Sequence, residues 1–178
     1  MFNIILKPLG IYQRLVRDEP WRWVLYFLIT NITLLAIAST LVGMVLYGKI
    51  FAFSLVFWSI LWLILILLSW YIKGLIGNYL LRTAGKEANL LGTLLPYGLA
   101  YGANIPVIII YIVADLLVEV LPGGRTIISL VVITGFISYV WTAAYGLRER
   151  YRLTSRFSVT VALISLSPEF FCIFLLKN

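Results

Sequence analysis

WVLYFLITNITLLAIASTLVGMVL, Trp23 to Leu46, is a run of 24 residues without a single charge. At about 1.5 Å per residue a helix over it reaches roughly 36 Å, enough to cross a hydrocarbon layer of ~30 Å with some tilt. Ile50 to Ile72 repeats the pattern after a tight turn at Gly48-Lys49, and Lys73 is read as the residue that stops this second span. Composition makes the same point for the whole chain. Of 178 residues 62% are hydrophobic, only 12% are charged, and mean hydropathy is +1.03. Soluble domains run near half apolar and a quarter charged, so the surplus apolar surface here must face lipid.

Working outward, Met1 to Arg22 (residues 1–22) reads as a cytoplasmic arm. Within it Leu9, Tyr12 and Val16 fall at helical intervals, which predicts an interfacial helix over Leu9 to Arg17. Pro20 breaks the chain there, and Trp21 and Trp23 sit where aromatic anchors favour the headgroup level. Residues 23–178 form the membrane domain. Gly74 to Ala88 is mixed in character and reads as a connection that continues as helix up to Thr83-Ala84-Gly85.

Asn89 to Leu121 is apolar for longer than one span needs, and Pro96 and Pro106 divide it. Two readings stand side by side: one long kinked helix, or a short leading helix to Ala103 followed by a span from Asn104 to Leu121. Leu121-Pro122-Gly123-Gly124-Arg125 predicts a tight turn. Thr126 to Leu147 is the fourth span, Arg148 to Arg156 a basic loop, and Phe157 to Leu176 the fifth span, interrupted by Pro168 and Glu169. The expected fold is therefore all-α, a polytopic bundle of five transmembrane helices.

Basic residues set the orientation. Lys and Arg fall four in the arm, one in the first turn, three after the second span, then one, four and one. By the positive-inside rule the rich side is cytoplasmic, giving an N-terminus inside and a C-terminus outside. Splitting 89–121 into two crossings would put Arg148 to Arg156 outside and break the alternation.

Several function classes fall away. The net charge of +7 lies between apolar runs, where it meets lipid headgroups, so nucleic acid is not an expected partner. Histidine is absent and Cys172 is the single cysteine, which removes the commonest metal ligand, the usual neutral-pH base and any internal disulfide. No metal, cofactor or catalytic residue is expected, and the chain is not read as an enzyme.

Polar residues at membrane depth carry what chemistry remains. Asp115, Glu119 and Glu169 are carboxylates within spans, costly enough to count as functional candidates, with Arg125 as a counter-charge. Asp115 and Glu119 share a helix face, four residues apart. The bland alternative places them at headgroup level. Asn104 beside Pro106 can line a small polar pocket, so an ion or solute path through Asn104, Pro106, Asp115 and Glu119 is the alternative function. Gly98-Leu-Ala-Tyr-Gly102 permits close helix approach, within the bundle or across a dimer seam. Asn31, with Thr30 and Thr33, is placed to hydrogen-bond across helices. Arg148, Arg150, Arg152 and Arg156 are candidate lipid-headgroup contacts.

Ile5-Leu6-Lys7-Pro8, then Asp18-Glu19-Pro20-Trp21 before the first span, resemble the opening of the Yip domain family, named for interaction with Ypt/Rab GTPases. Gly92, Pro96-Tyr97 and Tyr101-Gly-Ala-Asn-Ile-Pro106 are similar to that family's glycine-rich third region. The basic stretch Leu147 to Ser158, with Tyr151, Leu153 and Ser155, also fits. The resemblance covers nearly the whole chain. It implies a five-span bundle, N-in and C-out, and for eukaryotic relatives a role in vesicle trafficking; it carries over no catalytic residues. The long cytoplasmic N-terminal region and Asp-Leu-Tyr-Gly-Pro motif of those relatives are not found here, which points to a prokaryotic-type member in the cytoplasmic membrane. The expected activity is interaction: with membrane lipids, with a second copy as a homo-oligomer, or with a membrane or cytoplasmic protein.

Overall fold

The uncharged runs become helices in the computed structural model, which describes residues 20–47, 52–116 and 124–177, with side chains over 20–44, 53–114 and 126–168. In chain order these are α1 (Pro20–Tyr47), α2 (Ala52–Thr83), α3 (Leu90–Leu116), α4 (Gly124–Tyr151) and α5 (Ser155–Lys177). The first four are long and apolar enough to cross a membrane. The Leu9–Arg17 segment, the Gly48-Lys49 turn and Pro122-Gly123 lie outside the described residues.

Local chemistry fixes the ends. Pro20 stands at the first position of α1, where a proline gives up an N–H that has no partner. Asn89 caps α3, its Oδ1 accepting from the Gly92 N–H at 2.6 Å. The C-terminal ends of α2 and α4 close alike. Lys86 N–H donates to the Leu81 carbonyl at 3.0 Å and Leu153 N–H to the Arg148 carbonyl at 3.1 Å. Between them, Gly85 (φ 73°) and Arg152 (φ 50°) take the left-handed conformation that such a cap demands.

Two expectations need correction, and an open choice is resolved. Lys73 does not stand at the edge of a span: it is packed inside the bundle, 3% exposed, while α2 continues to Thr83 as the sequence predicts. Apolar residues continue past it to Leu81, so the helix keeps a surface to bury and the cation is packed inside. Arg148 and Arg150 belong to the last turn of α4, where cations suit the carbonyl end, and the connection to α5 shrinks to residues 152–154. Of the two readings of this region, the single helix holds over the described residues 90–116, with Pro96 and Pro106 both inside α3.

α3 is the hub. It packs against α1, α2 and α4, and α5 closes the bundle against α2 and α4. Val24, Leu28, Tyr97, Leu99, Leu147 and Val161 are buried between these elements. One long face of α2 is apolar and open, with Phe53, Val56, Phe57, Ile60, Ile64 and Leu68 exposed, as a helix facing acyl chains would be. At about 1.5 Å per residue the 32 residues of α2 span roughly 48 Å, more than a ~30 Å hydrocarbon layer, so one end stands clear of it.

Candidate functional site

A cation buried inside a membrane helix must replace its water shell, and for Lys73 aromatic faces supply part of the replacement. Its Nζ lies 4.6 Å from the Tyr139 ring centroid, 5.2 Å from that of Tyr101 and 3.4 Å from the Tyr101 hydroxyl, to which it donates. The two rings meet edge to face, 5.4 Å apart at 76°. Such contacts strengthen once desolvated, reaching about 2 kcal/mol or more. Ser69, one turn before Lys73 on the same face of α2, brings its Oγ to 3.4 Å from the Tyr101 hydroxyl. Three helices thus build the cage.

Lys73, Tyr101 and Tyr139 also face a cavity of about 900 Å³ that all five helices help to line. Asn104, one turn beyond Tyr101 on α3, joins them, and its Oδ1 is buried with no hydrogen-bond partner. The remaining wall is chiefly apolar: Leu35 and Val42 from α1, Trp58 from α2, Val107 and Ile108 from α3, Val132 from α4. Ser39 in that wall accepts from the Trp62 indole N–H at 2.9 Å. The cavity therefore combines a small polar cluster with a long apolar surface. Pro106 is exposed and does not line it, so of the expected Asn104–Pro106 pair only the amide faces the space.

Side chains of neighbouring helices hold α3 in place through its carbonyls. Trp70 Nε1 donates to Leu94 O at 2.8 Å, Tyr139 Oη to Tyr97 O at 3.3 Å, and Asn31 Nδ2 to Tyr101 O at 2.9 Å. Asn31 is the cross-helix donor of its segment; Thr30 and Thr33 bond back to Tyr26 and Ile29 within α1. Tyr97, fully buried, donates to Ser165 Oγ at 2.7 Å and so ties α3 to α5. A Cβ at Gly98 would stand 2.5 Å from Val24 Cγ1, and one at Gly102 2.7 Å from the Phe27 ring, so this glycine pair faces α1 inside the bundle. Gly74 and Gly77 of α2 do the same against Leu94, Thr93 and Tyr97 of α3.

The other notable surface is the end where α2, α4 and their successors turn. Thr93 Oγ1 and Tyr151 Oη are 3.2 Å apart, and a Cβ on Gly92 would meet both Tyr151 and Arg150, which sets the α3 start against the α4 end. Around this joint Arg148, Arg150, Arg152 and Arg156 are all exposed, as are Arg82 and Lys86. The packing beneath is dense: Leu81, Ala88, Leu147 and Leu153 are buried. Six cations thus stand on a folded platform.

Of the carboxylates singled out in the sequence, Glu119 lies outside the described residues, and Asp115 and Glu169 sit on α3 and α5 with side chains outside the described set. The Lys73 cage was missed because a charge after an apolar run reads as a stop; the signal against that was the further apolar stretch through Leu80-Leu81. Against curated proteins and against solved structures the chain finds no match. Against family models it matches the Yip1 domain over residues 2–176. With nearly its full length matched and four helices among the described residues long and apolar enough to span a bilayer, the chain belongs to the Yip1 domain family of integral membrane proteins.

Proposed function

We propose that this protein is a five-span, non-catalytic membrane protein that works by contact, and that its arginine-bearing end engages anionic lipid headgroups. The observation that carries the reading is the exposure of Arg148, Arg150, Arg152 and Arg156 together, beside Arg82 and Lys86, on one buried-core platform. The family match over residues 2–176 supports a role in membrane organisation or trafficking. In this reading α5, 23 residues or roughly 35 Å long, is the fifth crossing. The cation-rich end and the N-terminus lie in the cytoplasm, the C-terminus lies outside, and the host is a prokaryotic cytoplasmic membrane. Further contacts, with a second copy or with a protein partner, use the same end.

Each basic residue near an anionic surface contributes about 1 kcal/mol. Changing the four arginines to glutamine is therefore expected to lower retention of phosphatidylglycerol by the detergent-purified chain more than tenfold, with phosphatidylcholine retention unchanged. Terminal tags labelled from each side of the membrane check that topology is kept. Equal phosphatidylglycerol retention in a variant of unchanged topology rules the reading out.

A second reading, a small ion or solute path through Asn104, Asp115 and Glu119, is favoured by the cavity that reaches Asn104. Asp115→Asn in liposomes tests it: flux identical to the native chain, or no flux in either, removes the path.

A further inference from the structure

We propose that the cavity among the five helices binds an uncharged single-chain lipid, its hydroxyl head at Asn104 and its chain along the apolar wall. The site lies inside the bundle, and it is independent both of the headgroup contacts proposed for the arginine-bearing end and of the ion path. Asn104 lines the cavity with its Oδ1 buried and without a hydrogen-bond partner. A buried amide oxygen is costly to leave unmatched, and a hydroxyl, which both donates and accepts, suits either end of the amide. The depth of Asn104 settles the charge of the head. It stands near the middle of α3 (Leu90–Leu116), where an ionised phosphate or carboxylate would have to shed its water among hydrocarbon. A hydroxyl sheds far less. Lys73 faces the same space with its ammonium already engaged, and the hydroxyl needs nothing from it.

The rest of the cavity decides what hangs from the hydroxyl. Leu35, Ala38 and Val42 of α1, Trp58 of α2, and Val107 and Ile108 of α3 present hydrocarbon or ring surface over several turns. Water finds no partners along such a wall, whereas a lipid chain fills it by dispersion alone. At about 900 Å³ the space is near the top of the usual range for small-molecule sites, far beyond what one bridging water needs. It also has a way in. α1 and α4 each pack against α3 but, among the described residues, barely against one another. Val42 and Val132, one from each, line the cavity while remaining exposed, so it opens between these helices toward the acyl layer. A long-chain alcohol dissolved in the membrane can therefore enter sideways.

The full chain in phosphatidylcholine nanodiscs is titrated with dibrominated octadecanol, whose bromines quench indole fluorescence on contact. Trp141, exposed on the bundle surface, gives quenching that rises linearly with the probe. Trp58 and Trp62 in the cavity wall should add a saturable component. Dibrominated octadecane, lacking the hydroxyl, should bind about fivefold to tenfold more weakly, and Asn104→Leu should erase that difference. Ala38→Phe, which narrows the cavity from α1, should weaken binding of both probes. Dibrominated octadecanoic acid, kept ionised at alkaline pH, should bind more weakly than the alcohol. Three results with the native chain overturn the proposal: no saturable component, tighter binding of the acid, or equal binding of alcohol and alkane, which would leave Asn104 the seat of a water only. None of the three needs a variant to fold. Undiminished saturable quenching in Ala38→Phe, or an alcohol preference that survives Asn104→Leu, overturns it as well.

Discussion

Removing the Tyr97 hydroxyl should cost less than removing the serine that receives it. In Tyr97→Phe the ring keeps its packing and Ser165 stays satisfied, because its own hydroxyl donates to Val161 O at 2.8 Å. Only the 2.7 Å Tyr97–Ser165 bond is lost. Side-chain hydrogen bonds between membrane helices average about 0.6 kcal/mol and reach about 1.7. This one is short and fully buried, so a loss of about 1–1.7 kcal/mol is expected. Ser165→Ala removes the acceptor and leaves a phenol donor stranded in the core, at about 1–3 kcal/mol. The double variant removes both partners and should therefore be no worse than Ser165→Ala alone, and near Tyr97→Phe. Reversible unfolding by dodecyl sulfate in mixed micelles, followed by circular dichroism, gives all four corners of the cycle. Equal single costs that simply add would refute the reasoning, since the two side chains would then not be acting on one another.

Gly77→Ala should destabilise by about 1–3 kcal/mol in the same assay, because its Cβ would lie 2.8 Å from the Tyr97 hydroxyl and 3.0 Å from Thr93 Cγ2. In a Tyr97→Phe background part of that penalty should disappear, and an undiminished penalty would place the clash elsewhere. Arg152→Gly should stabilise the chain by about 1 kcal/mol, since Arg152 holds φ 50°, a conformation that suits a residue without Cβ. A lower thermal midpoint for Arg152→Gly would contradict this.

Long, charge-free runs made most of the helices legible before any coordinates, because in lipid a backbone that cannot bond to water has few options beyond a helix. The same rule is why Pro96 and Pro106 left the sequence undecided between one kinked helix and two. Prolines within a membrane helix are tolerated when neighbours satisfy the backbone, and Trp70, Tyr139 and Asn31 all donate to α3 carbonyls near them. Asn31 was recognisable because an amide at that depth needs a partner, although nothing in the sequence names Tyr101 as that partner. Gly98 and Gly102 were visible as a pair; Gly74 and Gly77 were overlooked because they follow Lys73 in a segment read as a connection. The Lys73 cage depends on Tyr101 and Tyr139 arriving from two other helices, and long-range meetings of that kind leave no local trace.

The matched left-handed caps at Gly85 and Arg152 bear on how the cation-rich end would meet the anionic lipid proposed for it. Each leaves a connection of only a few residues, pinned by a backbone bond and by a buried Leu153 or Ala88. The backbone positions that carry these side chains keep a fixed spacing on such stiff joints, as the mounts of a stamp do, while each guanidinium still turns about the bonds of its own side chain. Little backbone freedom remains to be surrendered when an anionic surface arrives, so attraction is hardly taxed by ordering. The end should then discriminate by the spacing of negative charges rather than by their number alone.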